Sequence, residues 1–208
     1  MIVLVPLIIL GILIEFKTSN ALEEEAGKQM LNLAKANAQM VEMALSSEMQ
    51  AVAQIAAGQN IIAAATTTIQ NGLADGDIDA LGAVLSSIRE KRGADYDALV
   101  VTDKDGNVIA DSQNGAYNGT ALGNSYGFHD AAAGKSVIGD AVKSKVSGNP
   151  VLSIMAPISS GGEMMGVLAV HLSLARLHQA MATKIGETGY GYALDRSGIT
   201  VLHPDRQK

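Results

Sequence analysis

Residues 98–111 read ALVVTDKDGNVIAD, and residues 190–203 read YGYALDRSGITVLH. In both, a short apolar run leads into Asp-x-x-Gly and then into a second apolar run. Glycine in the last turn position takes positive φ without steric cost, so each stretch predicts a tight hairpin. The strands are 98–102 with 107–111, and 190–195 with 199–203. The two hairpins lie about ninety residues apart, which reads as a repeat at the scale of a domain. The second copy holds one hairpin before Lys208, too little to fold alone, so the chain is expected to stop inside a second module.

Upstream of the first hairpin, residues 16–69 contain no proline. Leu22, Ala26, Met30, Leu33, Asn37, Met40 and Ala44 recur at alternating steps of three and four, a narrow stripe of the coiled-coil kind. A long stalk helix is expected over 16–70, packing on a second copy to make a homodimer. Two shorter helices broken near Gly58 are the alternative. Glycine and aspartate interrupt the pattern at 71–76, and Leu81, Val84, Leu85 and Ile88 mark a helix over 78–92. Downstream, a polar loop covers 112–125, and a short helix at 126–133 ends at Gly134. Strands are expected at 136–146, 150–158 and 164–172, and a helix at 174–185. The fold class is therefore α+β: a long N-terminal stalk helix, a PAS-like antiparallel five-stranded sheet with flanking helices, and the start of a second PAS-like module.

Composition narrows the function. The 208 residues are 48% apolar but 3% aromatic, with neither Trp nor Cys. A net charge of −6 gives no electrostatic footprint for nucleic acid. Absent cysteine removes disulfides, thiolate metal sites and a thiol nucleophile. Residues 2–14 are apolar, Gly or Pro, shorter than the roughly 20 residues of a membrane span. A signal-peptide core and a buried helix are alternatives. The long helix that follows favours a transmembrane segment that begins before this chain.

Four segments, taken together and in order, resemble the double Cache family of bacterial sensor domains, found in methyl-accepting chemotaxis receptors and some sensor kinases. They are the hairpin 99–112; residues 126–134, similar to that family's aromatic x-Phe-x-x-Ala-x-x-Gly helix; Gly148-Asn149-Pro150 to Pro157 with Gly166-Val167-Leu168 and Leu172-Ser173-Leu174; and Gly186-Glu187-Thr188-Gly189-Tyr190-Gly191-Tyr192 through His203-Pro204. The resemblance implies a partial transmembrane helix at 1–15, the stalk at 16–70, a membrane-distal ligand-binding module at 71–185 and an incomplete membrane-proximal module at 186–208. It implies the sensor part of a chemoreceptor; the sensor of a histidine kinase or nucleotide cyclase, or a domain that binds a periplasmic protein, are the rival readings.

Catalytic and metal patterns are not met. His171 and His178 straddle a strand-to-helix junction and do not form a metal pair. No Gly-x-Ser-x-Gly occurs. Gly134-Lys135-Ser136 lacks the glycine spacing of a phosphate loop. Asp103, Asp105 and Gly106 lack the twelfth-position Glu of an EF-hand, where Asn114 stands. No enzyme, metal or cofactor is expected.

A small-molecule pocket is expected between the sheet and the region 122–134. Tyr126, Phe128, His129 and Asp130 line it from that side, as an apolar wall with a few orienting polar groups; the alternative is that Phe128 fills the core and that His129 and Asp130 are solvated. Alternation assigns Val142 and Ser144 inward and leaves Lys143 and Lys145 solvated. On the last strand Leu168, Val170 and Leu172 are assigned to the helices, so His171 faces the pocket; a satisfied edge residue is the alternative. Amino-acid-sensing members of the family carry Arg-x-Trp-Tyr on the pocket helix, then Tyr and Asp on the next strand, and a late Asp. Here those positions hold Ser125, Gly127 and Phe128, then Val142 and Ser144, then His171. That departure implies a small anion or neutral polar metabolite, not a standard amino acid.

Overall fold

The computed structural model describes the backbone of residues 4–175, 192–194, 198 and 200–202, and the side chains of 24–175, 192, 194 and 198. Expectations for the helix 174–185 beyond Ala175, the turn 186–189, most of Asp195–Gly198 and residues 203–208 lie outside the described residues. By its contacts the chain divides into residues 1–43 and 44–208.

The first unit consists of helix α1 (Leu4–Ala56) up to Met43. Its apolar side chains Met30, Leu31, Met40 and Met43 are exposed. Lys28 pairs with Glu24 one turn earlier at 2.7 Å, a solvated contact worth a few tenths of a kcal/mol. Among the described residues no helix is long and apolar enough to cross a membrane.

In the second unit, the helix expected over 16–70 breaks. α1 ends at Ala56, and α2 (Gln59–Gln70) starts after Gly58, whose φ of −67° and ψ of 133° are extended. The Gly58 carbonyl accepts from the N–H of Ile61 and Ile62, so the glycine serves as the N-cap of a new helix. Folding α2 away from the α1 axis buries Ile61, Ala65 and Thr68. α3 (Asp75–Arg92) follows with Asp75 and Asp77 in its first turn and Arg89, Lys91 and Arg92 in its last, matching the helix dipole at both ends.

A 3-10 turn leads into β1 (Tyr96–Thr102) and β2 (Val108–Asp111), the predicted hairpin. Asp103 closes its turn by accepting from the N–H of Asp105 and Asn107, and Gly106 sits at φ +90°. After the loop and α4 (Phe128–Ala132) come β3 (Val137–Lys143), β4 (Pro150–Ser160) and β5 (Glu163–Ser173). The antiparallel sheet has the order β2-β1-β5-β4-β3, with β5 in the middle between β1 and β4. β6 (Ala193–Leu194) and β7 (Thr200–Leu202) form a separate antiparallel pair where the second hairpin is predicted.

Strict alternation along the sheet separates two cores. Leu99, Val101, Ile154, Leu168, Val170 and Leu172 pack with Val52, Ile61, Leu81 and Leu85 of the three long helices. Ala98, Val100, Met155, Val167 and Ala169 form the opposite face, covered by Tyr117, Phe128 and Ala131. The facing predicted for β5 is the one observed. β3 differs. It ends at Lys143 instead of 146, and its pairing shifts between Ile138 and Ala141. That irregularity on an edge strand upsets the predicted face: Ser144 is buried, but Val142 stays 40% exposed and Val146 47%.

Candidate functional site

The face away from the long helices is apolar along most of its length and polar at one end. There Ala98, His171 and Ser153 lie side by side on β1, β5 and β4. Ala98 and Ser153 are small, so the His171 ring has room to stand between them. It is 4% exposed.

Polar groups converge on that ring. The Tyr117 hydroxyl lies 3.1 Å from His171 Nδ1, and the two rings meet edge to face with centroids 5.1 Å apart. Burial raises the pKa of Tyr117, opposed by its hydrogen bonds to Ser144 and to the Lys145 backbone. The Ser144 hydroxyl donates to Asp97 Oδ2 at 2.5 Å, while its oxygen accepts from the N–H of Val146 and Ser147. The chain His171–Tyr117–Ser144–Asp97 thus joins β5, the 112–127 loop, the β3–β4 turn and β1.

Each member has a local cause. The register of β1 shifts between Tyr96 and Ala98, so Asp97 is the extra residue of a bulge and escapes the alternation of its neighbours. Tyr117 is delivered by Asp111, whose buried carboxylate accepts from the N–H of Gln113, Gly115 and Tyr117 at 2.7, 3.0 and 2.8 Å. Gln113 Nε2 then donates to the Asp97 carbonyl at 2.5 Å. Lys145 Nζ bonds the Thr120 hydroxyl and lies 5.9 Å from the centre of the Tyr117 ring.

Burial holds the His171 pKa down to about 4, with the Asp97 carboxylate pulling the other way. The ring is therefore neutral at pH 7, and one nitrogen donates while the other accepts. The Asp97 carboxylate thus acts on a neutral imidazole, and the Lys145 ammonium lies over the neighbouring phenol.

Of the residues predicted for the site, Ser144 and His171 belong to this chain of hydrogen bonds, and Phe128 is buried on the same face. Tyr126, His129, Asp130 and Val142 are exposed and form no link of it. Asp130 pairs with Lys135 at 3.2 Å, and His129 sets its ring edge against Phe128. Asp97 and Tyr117 were not among the expected residues, and Lys145 is exposed, as expected. Tyr117 is the one aromatic residue of the polar stretch 112–125, which was the available signal.

A profile of the Cache domain family matches residues 18–208. No curated protein matches the chain. Among solved structures, the ligand-binding domain of the Pseudomonas fluorescens chemoreceptor CtaA in complex with L-leucine superposes with a TM-score of 0.63 at 18% identity, over 90% of this chain and 74% of that one. That of the Pseudomonas aeruginosa amino acid chemoreceptor PctC with GABA gives 0.63 at 17%, over 86% and 76%. The sensor domain of the Vibrio cholerae histidine kinase DctB gives 0.56 at 20% over 74% of this chain, which spans 59% of that domain's length.

These relatives correct one expectation. The exclusion of standard amino acids rested on the side chains missing at Ser125, Gly127, Val142, Ser144 and His171, yet CtaA, of the same fold, is solved with L-leucine and with L-serine. The physical error lies in equating a missing motif with missing chemistry. Gly127 sits at φ +86°, and a Cβ there would lie 2.9 Å from Val137 Cγ2, so no side chain is offered from that position. A carboxylate does stand on β1, where Asp97 accepts from the Ser144 hydroxyl. With the profile covering all but the first seventeen residues and the sheet order and helices in agreement, the chain belongs to the Cache domain family of sensory ligand-binding modules.

Proposed function

We propose that this chain is the sensing part of a transmembrane receptor and that its ligand is a small molecule of amino-acid type, held against Asp97, Tyr117, Ser144 and His171. The observation that carries the reading is the buried polar chain at the end of an otherwise apolar sheet face, flanked by Asp97 and Lys145. A ligand ammonium pairs with Asp97, a carboxylate with Lys145, and the apolar part lies toward Phe128 and Met155. The amino-acid complexes of CtaA support this ligand class. Tyr117 and His171 are nearly fully covered, so admission of the ligand moves the loop that carries Tyr117.

The signal leaves through β1. A ligand that binds two arrangements of the bulge at Asp97 with different affinity shifts their balance, and Tyr96 passes the shift to α1. The apolar run 2–14 anchors the receptor, with the sensor outside the cytoplasm. A chemoreceptor output fits the likeness to CtaA; a histidine kinase output, the second reading, fits the likeness to DctB.

The test is a melting-temperature screen of the chain against the L-amino acids and GABA. At least one should raise the melting temperature, and His171→Ala and Phe128→Ala should abolish that rise. A rise unchanged in both variants sinks the site.

A further inference from the structure

The loop that delivers Tyr117 has a second face. On the α3 side of edge strand β2, Asn114 and Asn118 of the loop border a cavity of about 400 Å³ with Ile78, Asp79 and Ala83 of α3 and Ala110 of β2. The loop therefore wraps the sheet edge, with Tyr117 on the His171 face and the two asparagines beside α3.

The lining is chemically uneven. Ile78, Ala83 and Ala110 are apolar. Asp79, Asn114 and Asn118 have no side-chain hydrogen bond or ion pair among the described residues. Asp111, which also borders the cavity, is already occupied by three backbone N–H groups. Among the described residues no Lys, Arg or His lines the space. An anion would meet Asp79 with nothing to offset it. A calcium ion needs roughly six to eight oxygens converging at about 2.3–2.6 Å, which one free carboxylate in so large a space does not supply. Its size is that of a small-molecule pocket.

We infer that this cavity is a second binding site, for a small organic cation of the alkylammonium class. Its charge pairs with Asp79, the amide oxygens of Asn114 and Asn118 accept its remaining N–H groups, and its hydrocarbon lies on Ile78, Ala83 and Ala110. An occupant grips the turn on either side of Tyr117, so it biases the same loop from behind. The binding stands on the cavity alone; its effect on the first site rests on the function proposed above.

The experiment uses the whole chain and n-butylammonium, with butyrate and n-butanol as matched controls, read by melting temperature. At about a hundredfold excess over Kd the cation raises it by roughly 5–10 °C, and the controls do not. Asp79→Asn and Ala83→Leu, both at exposed positions of α3, remove the rise, whereas Asp97→Asn keeps it. If Ala83→Leu fails to fold, Asp79→Asn decides alone. The inference is overturned if the cation gives no rise, if the rise survives in Asp79→Asn, or if it disappears in Asp97→Asn.

Discussion

Tyr96 and Asp97 are neighbours on β1 that serve opposite faces of the sheet. The Tyr96 hydroxyl donates to Glu48 of α1 at 3.0 Å, and Asp97 accepts from Ser144 at 2.5 Å. The register shift at Asp97 then puts Tyr96 and Ala98, two residues apart, on opposite faces, where plain alternation would give them one. The α1 contact and the candidate ligand contact are thus one peptide bond apart, which makes the bulge the shortest covalent route between them.

Replacing Tyr96 by Phe removes the bond to Glu48 and the packing partner of the Arg92 guanidinium remains, 5.3 Å above the ring. The expected loss is about 1–2 kcal/mol in urea unfolding at pH 7. Burial, then the nearby Glu48, pushes the Tyr96 pKa up to about 12. Between pH 10 and 12 the unfolded chain gives up this proton first, so its contribution to stability is full below pH 10 and lost as pH rises to 12. The Phe variant should lack that part of the alkaline decline.

His171 acts in the other direction. Its pKa of about 4 lies below the unfolded value, so the unfolded state binds the proton first on acidification. Stability from this group is full above pH 6.5 and lost as pH falls toward 4. From pH 6.5 to 5 the loss is about 2 kcal/mol. His171→Gln should show a correspondingly flatter profile in that window; parallel profiles would mean the ring is not buried neutral.

Two glycines with positive φ should behave differently. A Cβ on Gly106 would lie 2.3 Å from the Gly123 nitrogen, a backbone atom that cannot yield cheaply. At Gly119, φ +71°, it would meet nothing. Gly119→Ala should cost about 1–2 kcal/mol through backbone strain alone. Gly106→Ala should cost more than that, or prevent folding, as judged by circular dichroism and urea titration.

Asp111→Ala leaves three backbone N–H groups of the loop without their acceptor. Amide hydrogen exchange at Gln113, Gly115 and Tyr117 should accelerate by at least tenfold while β4 and β5 stay protected. Unchanged exchange would show that the loop is held by something other than Asp111.

How far the sequence carried these features depended on periodicity. Residues 164–172 read MMGVLAVHL, a short and almost wholly apolar run bounded by turns, so the strand was legible, and its period of two set the faces once Leu168, Val170 and Leu172 were given to the helices. The Asp-x-x-Gly turn fixed the first hairpin in the same way. Gly58 was recognisable as a possible break, but only the burial of Ile61 and Ala65 decides that the helix turns there. Asp97 and Tyr117 escaped for a common reason. One sits in a bulge and the other in an aperiodic loop, where no repeat reports which way a side chain points. Tyr126, His129 and Asp130 share the pocket segment expected at 122–134 but are exposed where Phe128 is buried, since successive residues of a one-turn helix point in different directions.

The most direct measurement is calorimetric titration of the chain with whichever L-amino acid gives the largest thermal shift, repeated on Asp97→Asn, Tyr117→Phe and His171→Ala after circular dichroism shows each to be folded. The account predicts saturable binding to one site, weakened at least tenfold in Asp97→Asn and His171→Ala and to a smaller degree in Tyr117→Phe. Equal affinity in all four proteins would contradict it, as would the absence of binding to every amino acid tested.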